Sequence, residues 1–542
     1  MSNTCGAPGA GKHVMSKVPL ELARPRLGAD GGEALGAEPG SRRFLVLAVL
    51  CLTLLITNLD GTILNVALPT IVRTLHATSS QLQWVVDSYT MVFAGLLLIS
   101  GSLGDHLGRK WVFIGGLAIF AVGSATSAFS RSPDQLIAAR AFMGIGAAAI
   151  MPSTLSILTN VFTEPVDRAR AIGLWSGTSG LGLAIGPVVG GWLLAHYWWG
   201  SVFLINVPIA AAACVAALVI VPNSLNANAK RPDVVGAGCS LMGVALLLWG
   251  IIEAPVWGWA SPTIIAAIAG AVVITFTFVT WERHTKHPLL ELSFFESRRF
   301  SVAMAGLGLV LFALSGALFL LTQYLQFCLG YTALQTGLRI APIAAVLLVV
   351  ASLSSFAVRV VGTKVVVFGG MALITLGLAL LSTVTMHSTY ANVLPAFFLL
   401  GIGTGLAIAP CTESVMGSVP VELAGIGSAT NSTALQIGSA LGVAVLGSLL
   451  STRYQVDMRL LLRHVVVPPS VVRTTVGSIG GALGLAHHVG GVLGAQLAAA
   501  ARRSFINGMV FAVSVGAVIA AVASGVVAIF LPARASENGR KQ

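Results

Sequence analysis

Residues 101–110 read Gly-Ser-Leu-Gly-Asp-His-Leu-Gly-Arg-Lys, and they join two long apolar runs of the sequence. Glycines such as Gly101 and Gly108 permit tight turns, because they have no side chain to clash with the backbone. One acid, Asp105, precedes a basic pair that begins at Arg109. These features predict a compact latch between two hydrophobic helices. Its acid could meet a helix N-terminus in the other half of the chain, where the dipole favours an anion; a plain basic loop is the alternative.

Apolar sequence extends from this segment in both directions. Of the 542 residues, 56% are hydrophobic and only 9% are charged, and the mean hydropathy is +0.89. Soluble globular proteins carry roughly 25% charged residues, so water cannot solvate most of this chain. The composition therefore excludes a soluble enzyme, a disordered protein and a nucleic-acid-binding protein, even though the net charge is +12.

Fourteen apolar runs are long enough to cross a bilayer. A hydrocarbon core of about 30 Å needs about 20 residues in a helix, and continuous runs in lipid satisfy their backbone hydrogen bonds as helices. The sequence therefore predicts an all-α protein that crosses the membrane fourteen times. The predicted spans are 44–66, 81–103, 111–129, 134–158, 171–194, 200–221, 234–254, 262–281, 301–324, 334–357, 365–384, 391–412, 425–449 and 505–531.

Positive charges predict the orientation of these spans. With the N-terminus inside, cytoplasmic segments hold 21 of the 31 Lys and Arg residues, and outer segments hold eight. Six of those eight fall in one long outer loop, 450–504. Because cytoplasmic loops of membrane proteins carry such an excess, both termini are predicted to be cytoplasmic. Residues 1–43, rich in Gly, Ala, Pro and charge, predict a disordered tail, and residues 532–542 form a second tail.

The chain also contains a weak internal repeat. Gly144-Ile-Gly146 in span 4 returns 257 residues later as Gly401-Ile-Gly403 in span 12. Other glycine pairs repeat at nearly the same offset, which matches spans 1–6 to spans 9–14. Two similar bundles that rock about a central site are the basis of alternating access in transporters. The predicted divisions are a first bundle at 44–221, inserted spans 7 and 8 with a central cytoplasmic loop at 222–300, and a second bundle at 301–531.

Three ionisable residues lie inside predicted spans at one depth. Asp60 comes out about 6 Å below the outer face of the membrane core and Arg140 about 9 Å below it, with Asp87 at a similar level. A charge in lipid is costly, so such residues normally pair and face the protein interior. The structural interpretation is a static Asp–Arg pair. The functional interpretation is a proton site, in which Asp60 is preferred over Asp87 as the carrier.

The segment 101–110 resembles the signature between helices 2 and 3 of the major facilitator superfamily. The end of span 1, from Leu59 to Pro69, is similar to a signature of its fourteen-helix drug:proton antiporters of EmrB/QacA type. This resemblance covers roughly residues 44–531. It implies the fold of that superfamily, with two six-helix bundles and two inserted central helices. One departure is His106, where the family pattern usually has Arg.

Span 5 carries a cluster of small residues that permits close helix packing. The cluster consists of Gly182, Gly186, Pro187, Gly190 and Gly191. An ordinary packing face is the simpler interpretation. Its spacing also resembles the antiporter signature, which proton symporters of the superfamily generally lack, so the resemblance implies export rather than uptake.

A substrate cavity is predicted from polar and aromatic side chains on spans 1 and 9. Its candidate residues are Asn58, Asn65, Phe319, Gln323 and Gln326. Packing and an interfacial cap are the alternative for the residues of span 9.

The resemblance implies a proton-coupled exporter of small amphipathic compounds in the cytoplasmic membrane of a bacterium. It would act as a monomer, driven by the proton motive force without a cofactor. Six cysteines without paired spacing and scattered histidines predict neither a disulfide framework nor a metal site. An exporter of one endogenous metabolite or antibiotic is the alternative; an uptake transporter or a membrane enzyme is less favoured, since no clustered catalytic set is present.

Overall fold

The computed structural model describes residues 40–223, 232–285, 288–420, 423–463 and 468–532. Of the predicted disordered tail 1–43, the part up to residue 39 lies outside these residues, and residues 40–43 belong to a helix instead. Most of the C-terminal tail also lies outside the described residues. The described residues form helices joined by short connections. The helices are α1 Gly40–Leu75, α2 Ser79–Leu107, α3 Arg109–Ala128, α4 Pro133–Val161, α5 Pro165–His196, α6 Ser201–Leu204, α7 Asn206–Ile220, α8 Val234–Trp257, α9 Pro262–His284, α10 Arg298–Gln323, α11 Ala333–Val361, α12 Thr363–Leu381, α13 Tyr390–Met416, α14 Ala424–Leu462, α15 Pro469–Gly477, α16 Ile479–Val489 and α17 Gly491–Phe530. A short 3₁₀ helix at Leu292–Glu296 precedes α10, and a π-helical turn at Tyr324–Cys328 follows it.

Fourteen of the described helical segments are long and apolar enough to cross a membrane, which confirms the predicted number. The bounds differ most where a helix continues past its apolar run. α1 extends to Leu75, α14 extends to Leu462, and α17 begins at Gly491. Much of the predicted outer loop 450–504 is therefore helical and continuous with two spans. Within that loop α16 ends at Val489, and residues from 491 onward belong to α17.

The internal repeat is visible in how the helices begin and end. α2 is capped by Thr78 and Gln81, whose side chains bond each other's backbone N–H, and α11 is capped in the same way by Thr332 and Gln335. Such capping boxes satisfy N–H groups that have no partner within the helix. Each of the two helices then ends at a glycine with positive φ, +95° at Gly108 and +87° at Gly362, a conformation that strains other residues.

Packing follows the same repeat. α2 and α3 pack on α4 in the first half, and α11 and α12 pack on α13 in the second. The halves meet through two symmetric helix pairs, α2 with α14 and α5 with α11. The inserted helices α8 and α9 pack on each other, and α8 also contacts both α2 and α14. The insertion therefore lies along the seam between the two halves.

The end of the bundle where α1 begins is called the near end, and the end where α1 finishes is called the far end. At the far end, Gln326 Nε2 donates to Val66 O at 2.9 Å, and Ser448 Oγ donates to Gln83 Oε1 at 3.0 Å. Both hydrogen bonds join the first half to the second. The halves are therefore held together at the far end.

Helices α15 and α16 lie over this far-end seam. Gly480 of α16 packs against Val72 of α1 and Phe327 of the π-helical turn. Tyr454 Oη of α14 donates to Thr475 O of α15 at 2.8 Å, and Arg502 Nε of α17 donates to Phe327 O at 3.1 Å. The two short helices are thus fixed to both halves.

Candidate functional site

Asp60 and Arg140 form a buried ion pair inside the first half. α1 supplies the carboxylate and α4 supplies the guanidinium, and each side chain is only 1% exposed. Arg140 Nη1 donates to Asp60 Oδ2. Buried charges are tolerated when they are paired and hydrogen-bonded, and this pair satisfies both conditions. The predicted pairing of these two residues is therefore observed in the structure.

A second donor completes the surroundings of the Asp60 carboxylate. Asn206 Nδ2, on α7, donates to Asp60 Oδ1 at 3.0 Å and lies 3.2 Å from Ser124 Oγ of α3. Ser124 Oγ in turn donates to Phe203 O at 2.7 Å. Sequence reasoning missed Asn206 and Ser124. The signal for Asn206 was present, because it is a lone amide in the apolar run of span 6.

The guanidinium of Arg140 is held on its other sides by α2. Its Nε donates to Val85 O at 3.2 Å, and its Cζ lies 4.3 Å from the centre of the Tyr89 ring. An arginine over an aromatic face is stabilised by the ring quadrupole. Helices α1, α2, α4 and α7 of the first half therefore meet at one ion pair, and α3 is linked to it through Asn206.

Asp87 does not join this network. It is fully buried on α2, and neither carboxyl oxygen has a hydrogen-bond partner among the described residues. Gln83, one turn earlier, bonds to Ser448 of α14, and Trp84 Nε1 donates to Glu253 Oε1 of α8 at 3.0 Å. Asp87 therefore lies on the face of α2 that is turned toward the seam between the halves, although it shares the depth predicted for Asp60.

The segment 101–110 forms the corner between α2 and α3. Arg109 Nε donates to Asp105 Oδ1 at 2.9 Å, and Lys110 Nζ donates to Leu218 O at 2.8 Å. The predicted contact of Asp105 with a helix N-terminus of the second half is not made within the described residues. The acid instead pairs with its own neighbour, because the turn at Gly108 places Arg109 four residues away at the start of α3. Gly101, the first residue of this segment, faces Pro152 of α4.

The glycine cluster of α5 has two separate faces. Gly182, Gly186 and Gly190 pack against α1, where Thr62 Oγ1 lies 3.2 Å from Gly182 O. Gly191 faces the other way, and a Cβ there would lie 2.6 Å from Leu334 Cα of α11. The cluster therefore holds α5 tightly to α1 in its own half and to α11 in the other half.

A cavity lies between the two halves. α1 and α5 line it from the first half, and α10 and α11 line it from the second. The lining residues are Thr62, Asn65, Val66, Leu183, Pro187, Leu314, Leu318, Thr322, Ile340, Ile343, Ala344 and Leu347.

Only one predicted cavity residue, Asn65, is among these lining residues. Asn58 lies at the contact with Gly182 of α5, Gln323 bonds to Phe319 O within its own helix, and Gln326 bonds to Val66 O across the seam. The prediction for these residues rested on their position in a span, which does not fix the side of the helix that they occupy.

Comparison with known proteins agrees with this architecture. The sequence model of the Major Facilitator Superfamily matches residues 50–443. The chain is 34% identical over 451 residues to the multidrug resistance protein Stp of Mycobacterium tuberculosis, which covers 83% of this chain and 84% of that protein. It is 32% identical to the multidrug efflux pump LfrA of Mycolicibacterium smegmatis, over 90% of this chain and 96% of that one.

A solved structure shares the fold at much lower sequence identity. It is a bacterial homologue of the human lysosomal transporter Spinster in an inward-facing, unoccupied conformation. The TM-score is 0.63 at 18% identity, over 92% of this chain and all of the other. The chain therefore belongs to the major facilitator superfamily, among its fourteen-helix drug efflux transporters.

Proposed function

We propose that this transporter exports its substrates in exchange for protons, and that Asp60 is the proton-binding group. The observation that carries the proposal is the buried Asp60–Arg140 pair. A buried carboxyl group is the kind of side chain that serves as a proton site inside a membrane without a metal or cofactor. Its partner Arg140 stays charged under all physiological conditions.

Coupling runs through α1 rather than through direct contact with substrate. Asp60 lies about 140° to 160° around α1 from Asn65 and Thr62, which line the cavity. A proton on Asp60 removes one charge of the ion pair. The Arg140 guanidinium is then held less tightly to α1, so α4 and α2 can move relative to α1. Because α1 carries the proton site on one face and the cavity on the other, its movement changes the cavity.

The orientation follows the positive charges. The near end is proposed to face the cytoplasm, so both termini are cytoplasmic and the far end faces outward. Inter-half hydrogen bonds at the far end, such as Gln326 to Val66, then correspond to a state that is closed to the outside. The latch that acts when the near end closes is the corner with Gly101, Asp105, Gly108 and Arg109. Asp87 is the second candidate for the proton-binding group.

Proton exchange provides enough free energy for export. Moving one charge through about 100 mV supplies about 2.3 kcal/mol, which sustains a gradient of roughly 50-fold for a neutral substrate. The chain is proposed to act as a monomer in the bacterial cytoplasmic membrane, without a cofactor. An exporter of a single antibiotic or metabolite is the second candidate.

Transport in inverted membrane vesicles tests the proposal. A panel of sensitivity tests in an efflux-deficient host selects the compound with the largest protection, and that compound is the transport probe. An imposed inside-acid gradient is expected to drive its accumulation in the vesicles. Accumulation that does not depend on the pH gradient would contradict proton exchange. If Asp60→Asn inserts normally but loses the gradient dependence, Asp60 is the proton-binding group. If only Asp87→Asn loses it, Asp87 is the proton-binding group.

A further inference from the structure

The cavity between the halves has a chemical character that limits its cargo. Nine of its twelve lining residues are apolar, and among the described residues that line it none is ionisable. The polar members are Thr62, Asn65 and Thr322.

The cavity offers a cationic molecule no group that compensates its charge. Proteins hold organic cations with carboxylates or with aromatic faces, and neither is among the described lining residues. Asp60, the buried carboxylate nearest in sequence to the lining residues of α1, lies on the side of α1 opposite the cavity and is already paired with Arg140. Aromatic rings of the bundle are used by the protein's own cations, Tyr89 by Arg140 and Phe327 by Arg73.

An anionic molecule is excluded by the same lining. Arg140 faces Asp60 and the Tyr89 ring. Neither Lys nor Arg is found among the described lining residues. A charged cargo of either sign would therefore lose its hydration without gaining a partner.

The three polar side chains show which hydrogen-bonding group the cargo needs. Thr62 Oγ1 donates to Leu59 O at 3.1 Å, Asn65 Nδ2 to Gly61 O at 3.3 Å, and Thr322 Oγ1 to Phe319 O at 3.2 Å. The hydroxyl hydrogens of Thr62 and Thr322 are directed to backbone carbonyls, so both hydroxyls offer the cavity an oxygen acceptor, while the Asn65 amide offers an acceptor and keeps one N–H donor. A cargo with a hydroxyl or N–H donor matches them.

We propose that this cavity takes an uncharged, largely apolar molecule that carries a hydroxyl or N–H donor. The inference rests on the proposed function, because it takes the cavity as the substrate site. It also predicts that one proton exchanged for one neutral cargo moves net charge, so that the membrane potential drives export together with the pH gradient.

Matched fluorescent probes test the charge preference directly. Binding of 1-pyrenemethanol and of its trimethylammonium analogue to the full chain in nanodiscs is measured by fluorescence, with empty nanodiscs as the control for lipid partitioning. The alcohol is expected to bind at least about tenfold more tightly than the cation. 1-Methylpyrene, which lacks the donor, is expected to bind about three- to tenfold more weakly than the alcohol.

Two variants at one position separate charge from shape. Leu318 of α10 lines the cavity and is half-buried. Leu318→Glu is expected to raise affinity for the ammonium probe by at least about tenfold, whereas Leu318→Gln, of the same size but neutral, is not. Equal or tighter binding of the cation by the unmodified protein overturns the inference, and so does the absence of saturable binding by all three probes. Proton-driven transport is measured with a different compound in vesicles, so the proposed function stands or fails separately.

Discussion

Gly337 of α11 packs directly against the backbone carbonyl of Pro187 on α5, with no room for a Cβ between them. The contact joins the two halves beside the cavity, since Pro187 also lines it. The helices approach this closely only because one of the two residues has no side chain. A motif of α5 that resembles an antiporter signature thus works here as a contact surface between the halves.

Gly337→Ala is expected to prevent full closure of the far end. The added methyl group collides with the Pro187 carbonyl and pushes α5 from α11. Spin labels at two exposed positions, His196 at the far end of α5 and Thr332 just before α11, should report a longer distance between them. Efflux should fall by about tenfold or more. Gly177→Ala is the matched control, because a Cβ there meets nothing within 4 Å. An unchanged distance in Gly337→Ala would show that the far end is not closed by this contact.

Asp60 and Arg140 should depend on each other for stability. Asp60→Asn or Arg140→Met alone leaves a buried group without its ionic partner, with a loss of about 3–5 kcal/mol. The double variant removes both charges and is expected to recover much of that stability, though not transport. Melting temperatures in detergent check this, and additive losses in the double variant would contradict the coupling.

Asn206 is expected to stabilise the same network through hydrogen bonds. Asn206→Leu removes the donor to Asp60 Oδ1 and to Ser124 Oγ, and it should lower the free energy of unfolding by about 1–3 kcal/mol. Thermal denaturation measures the effect. The same substitution at Asn58, whose amide bonds only to Leu54 O within its own helix among the described contacts, is the comparison and should change stability less.

The sequence was sufficient to predict the membrane spans, because lipid requires apolar helices of a known length. It could not predict helix ends beyond the apolar runs, because charged residues such as Arg73 and Asp457 continue a helix there. Depth along a helix correctly indicated that Asp60 and Arg140 are neighbours. Depth alone does not fix the direction of a side chain, so it could not indicate that Asp87 and Gln326 lie toward the seam between the halves.

Gly480 tests whether the far-end helices hold the seam closed. A larger side chain in Gly480→Val would meet Val72 and Phe327 and lift α16 away from both halves. We expect a lower melting temperature and at least about threefold weaker efflux. Gly484→Val, on the same helix, is the control, since a Cβ at that position meets nothing within 4 Å. Equal behaviour of the two variants would mean that α16 only covers the surface.

Asp87 should be a residue whose removal stabilises the protein. Its carboxyl group is fully buried, and its oxygens have no hydrogen-bond partner among the described residues. A polar group desolvated without a partner costs about 1–3 kcal/mol, so Asp87→Leu is expected to raise the melting temperature, in contrast to Asp60→Asn. If the residue carries a proton in the cycle, the stabilised variant loses gradient-driven transport while it keeps downhill exchange of substrate. If transport is unchanged, Asp60 alone accounts for coupling. A lower melting temperature in Asp87→Leu would instead show that a bound partner, such as an ordered water, satisfies the carboxyl group.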